Sequence, residues 1–186
     1  MPGQVRHDEH VQELVDDLAR ARIGETFNQY GAGPRAPLLR ARLAAYLLAC
    51  RDAPMILVGE APGYRGARIS GIPFTSERQL TGSGPAEATA TIVHRVLAEL
   101  GLEDDVLLWN AVPTHPGTAT TNRPPTRDEV RLGLRFVERL AKERSAIAVG
   151  RVAASALGAP SVRHPSHGGA AAFVSGLAAL LGTAGP

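Results

Sequence analysis

The sequence predicts an α/β protein with a largely parallel sheet. Three short apolar runs, residues 55–58, 105–110 and 146–150, alternate with longer stretches of helical periodicity. Strands that alternate with helices build parallel sheets. The loops that follow the strands then share one edge, the carboxyl edge, where such proteins bind ligands. With 186 residues the chain is expected to form a single domain, 1–186, with room for a proper core.

Taken in order, residues 8–22 read as an amphipathic helix, with Val11, Leu14, Val15 and Leu18 at helical spacing. Gly24 interrupts it, and residues 25–30 lead into a Gly/Pro segment at 31–34. Residues 1–34 thus form a helix and an arm packed on the body, and Phe27 and Tyr30 are expected to dock that arm rather than touch a ligand. Residues 37–51 read as a second helix. Pro37 suits its first turn, and Leu38, Leu39, Leu43, Tyr46, Leu47 and Cys50 supply its apolar face. The run at 55–58, Met-Ile-Leu-Val, is brief, aliphatic and bounded by turn residues, as a buried strand is. A helix is expected over 85–100, stopped by Gly101. Strand 105–110 follows, then a loop over 111–125 rich in Pro, Thr and Gly. Thr126 and Glu129 have capping-box spacing and open a helix that runs to about residue 144. After the strand at 146–150 come a small Ala-rich helix at 152–157, the segment 161–169, and a closing helix at 170–181.

Composition narrows the function. The apolar fraction is 44% and aromatics make up only 4%, so the core is expected to consist of small aliphatic residues. Twenty basic residues against 18 acidic ones give a net charge of +2, so any DNA-binding face must be local. A single cysteine, Cys50, rules out an internal disulfide and a four-cysteine zinc or iron–sulfur site. Its apolar setting points to an inert thiol. No segment is apolar for long enough to span a bilayer. The polar start, MPGQVRHDEH, lacks a signal peptide's apolar stretch, so a cytoplasmic protein is expected.

The stretch from 55 to 79 carries the densest signal. Its strand breaks at Gly59-Glu60-Ala61-Pro62-Gly63, and Gly71-Ile72-Pro73-Phe74 follows. Two glycines and a proline in five residues suit a tight turn where backbone comes close to something. It is neither a P-loop, since no Gly-Lys-Ser/Thr follows, nor a Gly-x-Gly-x-x-Gly fingerprint. An acid at a strand end and a ring nearby suit a pocket for a flat polar ring. Each also has an ordinary reading: Glu60 as a solvated loop acid, Phe74 as core, Asn110 as a turn or cap residue, His164 as a satisfied structural histidine. Their convergence on loops after separate strands says more than any one of them.

At this point the residues resemble the uracil-DNA glycosylase superfamily, most closely the branch with Gly-Glu-x-Pro-Gly followed by Gly-x-Pro-Phe. The similarity continues through Asn110-Ala111-Val112, Asn122-Arg123-Pro124-Pro125-Thr126, the Val149-Gly150-Arg151 turn and His164-Pro165-Ser166. It covers roughly residues 55–169 in order. The resemblance implies a three-layer α/β/α fold around a mostly parallel four-stranded sheet. It implies hydrolysis of the N-glycosidic bond of uracil or another deaminated base in DNA, with the base flipped into a pocket. No metal or organic cofactor is needed, DNA is the partner, and a monomer is expected.

The resemblance also implies roles. Phe74 would stack on the base, Asn110 would read its polar edge with an amide that both donates and accepts, and backbone at Ala61 would contact it. His164 would donate a hydrogen bond to the carbonyl oxygen as negative charge grows there. Glu60 would orient or deprotonate the attacking water. Ser166, His167 and Gly168 would form the loop that enters the duplex, and Arg65, Arg68, Arg123 and Arg163 would meet phosphates.

The chain departs from its relatives in three ways. It lacks the cluster cysteines of the iron–sulfur branch. Where that branch has acids after the first motif, this chain has Tyr64-Arg65-Gly66-Ala67-Arg68-Ile69-Ser70. No histidine lies between Glu60 and Phe74, which disfavours covalent trapping of abasic sites. Two other readings stay open: a non-catalytic module for damaged or single-stranded DNA, and a hydrolase of free nucleosides.

Overall fold

The structure is a computed structural model that describes residues 2–182, with side chains from Asp8 onward. The N-terminal helix α1 (Pro2–Arg20) is followed by α2 (Ala36–Ala49) and the first strand, β1 (Met55–Gly59). Two short helices, α3 (Ala67–Ser70) and α4 (Glu77–Thr81), precede α5 (Ala88–Glu99) and β2 (Val106–Asn110). Then come α6 (Arg127–Ala141), β3 (Ser145–Val149), α7 (Arg151–Leu157), β4 (Ser161–Val162) and α8 (Ala170–Leu181).

The four strands form one parallel sheet in the order β2-β1-β3-β4. Its three apolar strands lie where the sequence places them. The fourth is two residues long, Ser161 and Val162 against Ala148 and Val149, too short for an apolar pattern to reveal. Alternation along the strands divides the core into two layers. Ile56, Val58, Leu107, Trp109 and Ala148 face α1, α2, α6 and α7. Leu57, Val106, Leu108, Ile147 and Val149 face α5 and α8. This is the expected three-layer α/β/α sandwich, and its parallel strands are apolar on both faces for that reason.

Helix ends differ from the sequence reading by a few residues where caps decide. Residues 85–87 stay outside α5, because Glu87 is extended (φ −122°, ψ 124°) at the N-cap position. The expected capping box at Thr126 and Glu129 is present and starts α6. A second one, Ser76 with Gln79, starts the unforeseen α4.

The segment after α1 is held to the body by side chains and backbone. Asn28 Nδ2 donates to Leu18 O (2.7 Å) and Ala21 O (3.0 Å), closing off α1. Tyr30 is buried and its hydroxyl donates to Gly71 O at 2.9 Å. Phe27 docks through its backbone, which pairs antiparallel with His115 (2.8 and 2.9 Å). Its ring stays 45% exposed beneath the Arg68 guanidinium.

Tyr46 on α2 closes the free edge of β2. Its hydroxyl accepts the Leu108 N–H at 2.7 Å and lies 3.3 Å from Leu108 O. Removing that hydroxyl strands a buried backbone donor. Tyr46→Phe is therefore expected to destabilise the fold by about 1–2 kcal/mol. Urea unfolding would measure this, and an unchanged midpoint would refute it. Among the described residues no helix is long and apolar enough to cross a membrane.

Candidate active site

The parallel sheet brings the chain-distant candidates together at its carboxyl edge. Gly59, which ends β1, pairs in register with Asn110, which ends β2. The ladder continues past both, with Ala111 N–H on Gly59 O (2.8 Å) and Val112 N–H on Glu60 O (3.0 Å). Glu60 and Asn110 thus leave the sheet side by side. Gly150 after β3 and His164 after β4 complete the edge. A cleft of about 960 Å³ opens there, lined by Glu60, Ala61, Phe74, Asn110, His164 and the residues around them.

Phe74 is buried and has a positive φ of 52°, unusual for a bulky side chain. The surrounding turn over-determines it. Ser70 Oγ donates to Thr75 O (2.6 Å) and accepts the Ile72 N–H (3.1 Å), and Thr75 Oγ1 lies 3.0 Å from His94 Nε2. Such strain persists only where neighbours enforce it. The ring then lies against Gly59: a Cβ there would collide with Phe74 Cζ and come within 3.1 Å of Asn110 Oδ1. This close approach gives the strand-end glycine its purpose.

Asn110 is only 4% exposed, yet its carboxamide makes no hydrogen bond among the described residues and lines the cleft. Both its donor and its acceptor are available to a ligand. Glu60 also lines the cleft, half-buried, and burial raises its pKa above the usual carboxylate value. A carboxylate shifted upward is a stronger base and sits closer to neutral operating pH.

His164 has a defined tautomer. The Ser166 backbone N–H donates to Nδ1 at 3.2 Å, and the Ser166 hydroxyl lies 2.8 Å from the same atom. Nδ1 is thereby an acceptor. Burial, with the neighbouring His167, lowers the pKa, so the ring is neutral at pH 7. Its one proton is then on Nε2, which has no partner among the described residues and leaves the cleft a hydrogen-bond donor.

The remaining candidates divide. Arg163, Ser166 and His167 line the cleft; Gly168, Arg65 and Arg68 do not. His167 has a positive φ of 52° and its Nδ1 lies 3.0 Å from Ser166 Oγ. Arg65 is exposed over the Tyr64 ring (5.3 Å), and Arg68 stacks on Phe27 (4.9 Å). Arg123 reaches the cleft but spends its guanidinium on Glu129, with bonds of 2.8 and 2.6 Å.

Three residues that line the cleft and one buried behind it were not singled out as site residues from sequence. Arg151 opens α7 on its wall. Asn122 Oδ1 accepts the Tyr64 N–H at 2.9 Å and ties the loops after β1 and β2 together. His115, fully buried, bridges the same loops, with Nδ1 2.7 Å from Pro62 O and Nε2 2.8 Å from Thr118 O. Glu87 lines the cleft from the start of α5. Only Asn122 and Arg151, which sit inside the recognised motifs, carried a sequence signal. Among the described residues no group of three or more His, Cys, Asp or Glu side chains could hold a metal ion.

The arrangement is that of an α/β protein with a ligand cleft at the carboxyl edge of its parallel sheet. The family model described as "Uracil DNA glycosylase superfamily" matches residues 47–179, and the chain belongs to that superfamily. Among solved structures it is similar to the crystal structure of wild-type Pedobacter heparinus SMUG2. The TM-score is 0.68 and the sequence identity 10%, over 93% of this chain and 99% of that one. At that identity the likeness speaks for the fold. No curated protein matches the chain by sequence.

Proposed function

We propose that this protein is a monofunctional DNA glycosylase that removes uracil or another deaminated base from DNA. One observation carries the reading: a carboxyl group, a phenyl ring, an unpartnered carboxamide and a neutral imidazole, from four separate parts of the chain, line one cleft. The flipped base stacks on Phe74, which recovers roughly 1–3 kcal/mol of the unstacking cost. Asn110 accepts from the base N3–H and donates to O4, and backbone at Ala61 supports the same ring.

The C1′–N1 bond breaks with its electron pair leaving on the base, so negative charge grows on O2. His164 Nε2–H donates to that oxygen. A neutral donor suits the task, since it stabilises the departing anion without transferring a proton to it. Water attacks C1′ and Glu60 takes its proton. The products are free base and an abasic site. Arg151, Arg163 and the Ser166–Gly168 loop meet the DNA strand, where positive and small residues suit phosphate and close backbone approach.

The test uses oligonucleotides carrying uracil, hypoxanthine or xanthine, with alkaline cleavage of abasic sites. Strand cleavage from at least one substrate is expected. No product above a Glu60→Ala/His164→Ala double variant would remove the reading. Salt-dependent DNA binding without turnover would replace it with a damage-binding module.

A further inference from the structure

The turn that carries Phe74 is anchored from outside by a histidine. Residues 72–75 are closed by the Thr75 N–H on Ile72 O at 3.2 Å. Pro73 takes the second position of this turn. Phe74, at φ 52°, takes the third, where a left-handed backbone favours glycine. A phenylalanine stays in that conformation only when its surroundings impose it. Most of the constraint is local: Ser70 Oγ bonds Ile72 N–H and Thr75 O, and Thr75 Oγ1 donates to Pro73 O at 3.1 Å. Among the described residues, His94 is the side chain outside segment 70–76 that hydrogen-bonds to residues 72–75. It sits in the middle of α5.

The direction of that bond is fixed by its partner. The Thr75 hydroxyl has one hydrogen, which Pro73 O takes, so Oγ1 accepts from His94 Nε2–H at 3.0 Å. Burial lowers the His94 pKa below 6.5, opposed more weakly by the Phe74 backbone carbonyl, and the ring is neutral at pH 7. Neither His94 nor Thr75 lines the cleft, whereas Phe74 does. The Phe74 ring in turn lies beside Gly59, at a spot where a Cβ would also come within 3.1 Å of Asn110 Oδ1. A small rotation of the turn would therefore move the ring relative to the carboxamide. We propose that His94 is a positioning residue, whose imidazole holds the Thr75 end of the turn so that Phe74 meets the flipped base in register with Asn110. The inference rests on the proposed function, in which Phe74 stacks on the base.

The test compares wild type, His94→Leu and His94→Gln, which keeps an N–H donor, in single-turnover excision of uracil from DNA. His94→Leu is expected to slow excision by about 10- to 100-fold, the scale of a misplaced binding group. His94→Gln should recover most of that loss. In a Phe74→Ala background, His94→Leu should add no further loss, because it acts through the ring. A folded His94→Leu protein with the wild-type rate overturns the proposal, and so does an equal loss in the Phe74→Ala background, which a merely structural role would give. If His94→Leu does not fold, Thr75→Val, which removes the other end of the bond, is judged by the same outcomes. Should the wild type excise no uracil, the glycosylase reading falls separately, and fluorine NMR of protein carrying fluorophenylalanine decides. There are four phenylalanines, and Phe74→Leu assigns the signal. A Phe74 resonance shifted or broadened in His94→Leu and restored in His94→Gln supports the positioning role, and one unchanged in both removes it.

Discussion

Substituting His164 by alanine is expected to slow base release by about 10²- to 10³-fold while leaving the fold intact. The expectation follows from the tautomer. Ser166 N–H occupies Nδ1, and burial keeps the ring neutral, so Nε2–H is the one donor the imidazole offers. Loss of a single donor aimed at developing charge in a water-poor site has an effect of that size. A donor that strengthens only as charge develops acts on the chemical step, so single-turnover rates should fall while DNA affinity stays near wild type. Acid should also slow the step, by freeing the ring from its orientation rather than by removing the Nε2 donor. Protonation at Nδ1 breaks the bond from Ser166 N–H, so the acid limb of the rate profile should lie below the ordinary histidine value of 6.5. Single-turnover rates for uracil-containing DNA within threefold of wild type would contradict the role.

Glu129→Ala is expected to cost about 3 kcal/mol of stability. The carboxylate is 2% exposed and joins three pieces of chain. It takes Arg123 in a bidentate pair, accepts the Thr126 N–H at 2.8 Å and accepts the Glu25 N–H at 3.2 Å. It packs so closely on Gly24 that a Cβ there would lie 2.9 Å from Oε1. Arm, motif loop and α6 therefore loosen together when it is removed. Arg123 and the backbone amides hold its pKa down to about 2, against an ordinary value of 4.5. Because the folded value is the lower one, the contribution is complete above about pH 4.5 and is lost as pH falls toward 2. Urea unfolding at pH 7 and at pH 3.5 should show the gap between wild type and Glu129→Gln narrowing in acid. A gap independent of pH would exclude this account.

The two variants touch different layers of the molecule. In the proposed reaction His164 acts on a reacting group, whereas Glu129 lies apart from the cleft lining and holds the loops in place. Arg123 shows how the layers meet. Its motif suggests a hand for phosphate, but a guanidinium held by both oxygens of a buried carboxylate has little left to offer outward. Arg68 is similar in kind, with its face on Phe27 and its Nε buried without a partner.

What the sequence determined by itself is the alternation of apolar strands and amphipathic helices, and with it the sheet edge. Period and composition depend on residues a few positions apart, so they survive without knowledge of the rest of the chain. The strand-end positions of Glu60 and Asn110 belong to the same class of information, because a parallel sheet places every strand's exit on one side, whereas His164 follows the two-residue β4. Only the tertiary structure decided the roles of Glu87, His115 and Arg123. Glu87 reads locally as a helix cap, and two glycines more than 20 residues upstream turn it into a cleft acid. His115 reads locally as a loop histidine, and Pro62 O, 53 residues away, makes it a strut. The two-residue β4 exists because β3 supplies its partner. In each case the deciding neighbour is distant in the chain, and packing, rather than spacing, chooses the side chain's partner.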